Sequence, residues 1–188
     1  MADQPRWNEI AARWWRALQP NEKHPDPSRR AGNRAALARL RRCTTASEAA
    51  SEPEALDLAR RLDASPRQPR RLENALLAAI VLAHVRADDR GASVARSLGG
   101  ANSERRAPMS PLRLSRLLTA ETVEERLIAF RRVVALLGGG ANVPDLAHAL
   151  LDWSERTRIA WAFDYHGVPP PGMKAVPTPE QPAAGDAA

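Results

Sequence analysis

Apolar residues recur along this chain at helical spacing. Trp7, Ile10, Ala11, Trp14 and Leu18 fall at i, i+3, i+4, i+7 and i+11. That stripe predicts an amphipathic helix over 6–19, ended by Pro20. Pro20, Pro25, Pro27 and Gly32 make 20–33 a loop. A second helix is predicted from Gly32 to Cys43 with Leu37 and Leu40 inward, and Ser47 caps a short turn before Pro53. Leu56, Ala59 and Leu62 mark a third helix ending near Asp63. Beyond Pro66 and Pro69, the stripe of Leu72, Leu76, Ile80 and Ala83 predicts a fourth helix, about Arg70 to Asp88. Residues 89–110, with Gly91, Gly99, Gly100, Asn102 and Pro108 scattered through them, read as irregular.

The second half carries clearer punctuation. Ser110-Pro111 supplies an N-cap hydroxyl and then Pro at the first helical position. Thr122-Val-Glu-Glu125 is a capping box, in which the Thr oxygen takes one free amide and Glu125 reaches back for another. Behind it Leu127, Phe130, Val134 and Leu137 stack, and Gly138-Gly-Gly140 stops the helix. Asn142-Val-Pro-Asp145 opens a short helix, and Asp152-Trp-Ser-Glu155 opens the last, through about Tyr165. From Gly167 on, 6 of 22 residues are Pro and few are apolar, the composition of a disordered tail. The expected fold is all-α, a compact bundle of seven or eight helices in two lobes. The N-terminal lobe is 1–88, a basic connecting loop and C-terminal lobe occupy 89–166, and the tail is 167–188. Trp7 and Trp14 read as core. Trp15 stands off the stripe, as a second packing surface or an exposed anchor.

Composition narrows this further. Ala accounts for 36 of 188 residues, against 9 Val and 4 Ile, so helix formers dominate, an all-β fold is nearly ruled out and a parallel sheet is disfavoured. The single cysteine, Cys43, excludes an internal disulfide framework and a Cys-based zinc site. The longest apolar run, Leu76 to Val85, is interrupted by His84 and stops at Arg86, too short to span a membrane. The first residues carry no apolar signal region, so a reducing cytoplasm is expected. His24, His84, His148 and His166 share no metal-ligand spacing. Gly138 to Gly140 follow a helix rather than a strand, and Ser93 and Ser97 lack nucleophile-elbow glycines. Asp88-Asp89 and Glu124-Glu125 sit at helix ends, where capping explains them. No catalytic constellation, metal site or cofactor motif is present, and no enzyme is expected.

Charge brings in the partner. The chain has 26 Arg but 2 Lys, against 22 acids, for a net charge of +6. A G+C-rich coding bias raises Arg and Ala together, so placement decides more than number. At ~100° per residue Arg34, Arg39, Arg41 and Arg42 share one arc of the second helix, and no acid lies between Arg30 and Arg42. Such a face is answered by solvent or by a polyanion. Arg86, Arg90, Arg96, Arg105, Arg106 and Arg113 form a second concentration. Arg113 and Arg116 are i, i+3, and Arg131-Arg132 lie opposite Phe130 and Val134. Arg156 and Arg158 are expected to pair with Asp152 and Glu155.

Several blocks together resemble a known family. These are Trp14-Trp15-Arg16-Ala17-Leu18-Gln19, then Gly32 through Arg42, Ser93 through Gly99, Leu112 through Leu118, Asn142-Val143 with Leu146-Ala147, and Asp152-Trp153 through Tyr165. In that order they resemble the CasB-type small subunit of the type I-E CRISPR Cascade complex. The resemblance implies a non-enzymatic helical protein without cofactor, present in two copies. It would sit beside the Cascade backbone and large subunits and hold crRNA, target DNA and the displaced strand to stabilise the R-loop. The positions that carry over are Arg34, Arg41 or Arg42, Arg96, Arg113, Arg116, and Arg131 or Arg132. Val94 and Leu114 depart from the family, which often has an aromatic there. Two alternatives remain open: a helical protein-interaction scaffold that binds no nucleic acid, and a free-standing DNA-binding regulator. The lack of a helix-turn-helix glycine turn counts against the regulator.

Overall fold

The structure, a computed structural model, describes residues 7–21, 23, 26, 31–99 and 107–168. The segment 169–188, and with it all but the start of the expected tail, lies outside the described residues, as do Arg105 and Arg106. The fold is mostly helical. In chain order the helices are α1 (Trp7–Leu18), α2 (Arg34–Arg42), α3 (Ala46–Ala49), α4 (Pro53–Arg61), α5 (Pro69–Ala83), α6 (Val94–Gly99), α7 (Pro111–Leu118), α8 (Val123–Leu136), α9 (Val143–Leu151) and α10 (Glu155–Tyr165). Two short strands, β1 (Ala87–Asp88) and β2 (Gly140–Ala141), pair in parallel.

Helix α5 is the central pillar. Every residue from Ala75 to Ala83 is buried, as expected of a helix apolar on all sides. Helices α2, α3, α4, α8 and α9 pack around it, and α1 lies against α9. Alanine on many faces lets these axes approach closely; Ala75, Ala78, Ala79 and Ala83 have no exposed surface. Phe130, Trp153 and Trp161 meet edge to face with ring centroids 5.0–5.6 Å apart, locking α8 to α10.

Burial of helix ends creates a second requirement. The last carbonyls of a helix have no intrahelical donor, and away from water each needs one. Side chains from distant elements supply them. Arg41 Nε donates to the Ala83 carbonyl (2.6 Å) at the end of α5. Trp15 Nε1 donates to Val85 just beyond (3.3 Å). Arg131 Nη2 reaches the carbonyls of Arg41 (2.9 Å) and Cys43 at the end of α2. Arg71 bonds the Leu62 carbonyl just after α4, Arg158 the Leu118 carbonyl at the end of α7 (3.2 Å), and Asn74 the Leu151 carbonyl at the end of α9 (2.9 Å).

Several expectations are corrected. Helix α5 stops at Ala83, not near Asp88, because the chain turns at His84 to place β1 beside β2. The 89–110 stretch contains α6, whose first amide, that of Val94, is held by Asp145 Oδ2 at 2.8 Å. Thr45, not Ser47, caps the turn of α3, its side chain accepting from the Glu48 amide at 3.1 Å. Trp7 is 39% exposed, with the Arg71 guanidinium 4.5 Å from its ring centroid. Trp15 is the packing surface, 4% exposed. Arg158 caps α7 rather than pairing with an acid.

Gly99 gives the packing of α6 on α10 a sharp test. A Cβ there would lie 1.9 Å from the Tyr165 carbonyl oxygen. Gly99→Ala is expected to lower stability by about 3 kcal/mol or more. Thermal unfolding should register a Tm lower by roughly 6–12 °C. An unchanged Tm would show that the two helices do not meet there.

Candidate nucleic-acid interface

Helices α7 and α8, joined by a short turn, leave a groove of about 780 Å³ between them. Their burial patterns orient it. Leu114 and Leu117 anchor α7 in the core, which turns Arg113 and Arg116 outward. On α8 the inward residues are Leu127, Phe130, Val133 and Val134. The line Ile128, Arg132 and Ala135, at i, i+4 and i+7, therefore faces the groove. Arg113, Arg116 and Arg132 all line it and are not buried, and their guanidiniums form no ion pair or hydrogen bond among the described residues.

One acid lies in the groove. Glu125 closes the predicted capping box: Oε2 accepts the amides of Glu121 (3.0 Å) and Thr122 (3.2 Å), while Thr122 Oγ1 accepts the Glu125 amide (3.1 Å). Those backbone N–H groups hold its carboxyl below the usual range, so it stays ionised. Its cap bonds partly occupy it, and it shares the groove lining with three guanidiniums.

The α2 face is divided. Arg39, which the linear sequence leaves without an acid, meets Glu52 (2.6 Å) and Glu54 (3.3 Å) at the start of α4. Arg41 is committed to the Ala83 carbonyl. Arg34 and Arg42 remain exposed with no partner among the described residues. Arg131 extends from α8 to the end of α2, so neighbouring arginines on α8 do different things: Arg131 ties the helices together and Arg132 faces the groove. Arg96 stands 4.0 Å from Asp164 and away from the groove lining. In the central concentration Arg90 pairs with Asp88 at 2.8 Å.

His84 borders the Arg41–Arg131 tie. Burial first, then Arg131 and Arg41, lower its pKa to about 4. Among the described residues no group of three His, Cys, Asp or Glu side chains is placed to hold a metal, and no helix is long and apolar enough to cross a membrane. Sequence reasoning missed Ile128 as a groove residue. The signal was there: Ile128 is off the apolar stripe of α8 and one i, i+4 step before Arg132.

The family model for CRISPR-associated protein Cse2 matches residues 36–166. The chain belongs to the Cse2 family. The match takes in every groove arginine and leaves out α1 and Arg34. No curated protein sequence matches this Cse2-family chain. Among solved structures it is similar to a chain in the crystal structure of E. coli Cascade bound to a PAM-containing dsDNA target. That likeness has a TM-score of 0.59 at 19% identity and covers 85% of this chain and 97% of the other. It supports the fold.

Two predictions separate tying from facing. Arg131→Ala removes two charge-assisted bonds to part-buried carbonyls and should cost about 2–4 kcal/mol, whereas Arg132→Ala should stay within about 0.5 kcal/mol, both read by denaturant unfolding. Equal effects would erase the distinction between the two neighbours. The second concerns pH. The folded state keeps His84 neutral down to about 4, while its ordinary value is 6.5. The unfolded chain therefore binds the proton first, and stability present above pH 6.5 is lost as pH falls toward 4. Tm should drop between pH 7 and 5, and His84→Leu should flatten that drop; a parallel decline in both proteins would assign it elsewhere.

Proposed function

We propose that this Cse2-family chain is the small subunit of a type I-E CRISPR Cascade complex. In this reading it is non-catalytic and grips nucleic-acid backbone, steadying the crRNA–target DNA hybrid and the displaced strand. The carrying observation is the set of three unpartnered guanidiniums on one groove, Arg113, Arg116 and Arg132. Arg34 and Arg42 on α2, and Arg96 on α6, are further phosphate-contacting candidates in this reading. Arg41 and Arg131 serve it by holding α2 against α5 and α8. Family membership supplies the setting. The similar structure is of E. coli Cascade bound to a dsDNA target, which fits a nucleic-acid partner.

The chemistry suits the task. Base pairing with the guide reads sequence in such complexes, so the protein needs shape and phosphate contacts, and a nearly balanced strand exchange is tipped by modest ones. Arginine presents a planar fork of donors that fits phosphate in two-point contact. Protein partners, including a second copy and the backbone and large subunits, have separate apolar surface available. Ile159 and Phe163, i and i+4 on α10, are both exposed.

Binding to single- and double-stranded DNA should weaken steeply with salt. Each phosphate-binding arginine contributes about 0.7–0.9 to the log–log slope, so the combined Arg113→Ala, Arg116→Ala and Arg132→Ala variant should have a slope shallower by about 2–3. With the chain reassembled on its guide RNA and partner subunits, the same variant should shorten R-loop lifetime at unchanged helicity. An unaltered slope would remove the groove from the interface.

A further inference from the structure

The α7–α8 groove is larger than phosphate contact requires. At about 780 Å³ it falls in the range of sites that enclose a small organic ligand, about 300–1,000 Å³. Its lining is mixed. Leu117, Ala129 and Ile128 are aliphatic, and Ile128 is 53% exposed, a large apolar side chain in open water. A phosphate gains nothing from such a surface, but the flat face of a nucleobase does.

Glu125 adds a second feature. A carboxylate that lines the same groove as three arginines works against phosphate at that point. Both of its cap bonds fall on Oε2, and Oε1 accepts no backbone N–H. At the start of α8 the Glu125 N–H is taken by Thr122, and Glu125 itself takes those of Glu121 and Thr122. A carboxylate oxygen is instead a seat for an N–H donor. Cytosine, adenine and guanine carry an exocyclic amino group, and Glu accepting from the cytosine amino group is a familiar pairing. Thymine sets its one ring N–H between two carbonyl oxygens, which a carboxylate repels.

We propose that the α7–α8 groove is a base-binding subsite. It takes one unpaired nucleobase bearing an amino group, its face on Ile128 and its amino group on Glu125, while Arg113, Arg116 and Arg132 hold the flanking phosphates. This rests on the reading that the surface handles nucleic acid. It adds that the surface discriminates at one position, against thymine, although the remainder tracks phosphate alone.

Short oligonucleotides that are abasic at every position except the centre test it with the full-length chain. The centre carries C, T or no base, and affinity is read by fluorescence anisotropy at fixed salt. Central C should bind about tenfold tighter than the fully abasic strand and about threefold tighter than central T. Glu125→Gln keeps the capping box, which accepts Gln at this position, and should abolish the C-over-T preference. Ile128→Ser should shrink the advantage of any base over none. Thermal melting confirms that both variants fold. Equal binding of all three strands, with the arginine variant still lowering the salt slope, overturns the subsite and leaves the backbone reading standing. Binding that ignores the three arginines overturns both. Tighter binding of a polyglutamate peptide than of the C-bearing strand assigns the groove to an acidic protein segment and overturns the subsite.

Discussion

Carbonyl oxygens at buried helix ends are the constraint on which the remainder of this fold depends. Each such oxygen left dry costs about 1–3 kcal/mol, and no local residue can serve it once the chain turns away. An alanine-rich bundle makes the problem acute, because thin helices pack close and bury their ends. The solution here is long-range and mostly arginine. Arg41, Arg71, Arg131 and Arg158 each reach the end of another helix. Lysine would be a poorer choice. Its ammonium is strongly hydrated, whereas a guanidinium is weakly hydrated and can hold two acceptors in one plane, as Arg131 holds the Arg41 and Cys43 carbonyls. A positive charge at a helix C-terminus also meets the negative end of the helix dipole.

That constraint sorts the arginines into kinds that composition cannot separate. Some close helix ends. Others, such as Arg39 and Arg90, are neutralised by carboxylates brought from other segments or a nearby turn. Those left on α7, α8 and α2 with no partner among the described residues are Arg113, Arg116, Arg132, Arg34 and Arg42. The excess of Arg over Lys is therefore partly structural, and of the exposed arginines without a side-chain partner among the described residues, three share one groove. The aliphatic line of Ile128 and Ala135 between free guanidiniums is what distinguishes the groove from an ordinary solvated face.

Features set by neighbours in sequence were legible. The stripe of α1 from Ala11 to Leu18 and that of α8, the capping box at Thr122 and Glu125, Asn142 as the cap of α9, and the left-handed Gly138 after α8 follow from local spacing and local hydrogen bonds. Features set by distant neighbours were not. A two-residue parallel pairing has no alternation to read, and the end of α5 is decided by β2, which lies more than fifty residues further on. The same limit applies to the site. On a helical wheel Arg41 flanks Leu37 and Arg131 flanks Leu127, while Arg42 and Arg132 point away from the apolar side. What Arg41 and Arg131 meet depends on where the Ala83 carbonyl and the end of α2 fall. Sequence reasoning could place the basic helices and could not name the distant partner of each tying arginine.

The division has a functional consequence. Arg131 fixes α8 to the last turn of α2, and Arg41 fixes that turn to the end of α5. Arg132 and Arg42, each next to a tying residue, are thereby carried on helices whose spacing is set by buried bonds rather than by flexible side chains. Phosphates along a strand come at regular intervals, so a sequence-tolerant grip is improved by holding its cations at fixed separation before the strand arrives. On the proposed reading, breaking either tie would weaken backbone binding while Arg132 and Arg42 themselves remain. This follows from the fold itself, because the interactions that close the helix ends are the ones that set the distance between the two basic surfaces.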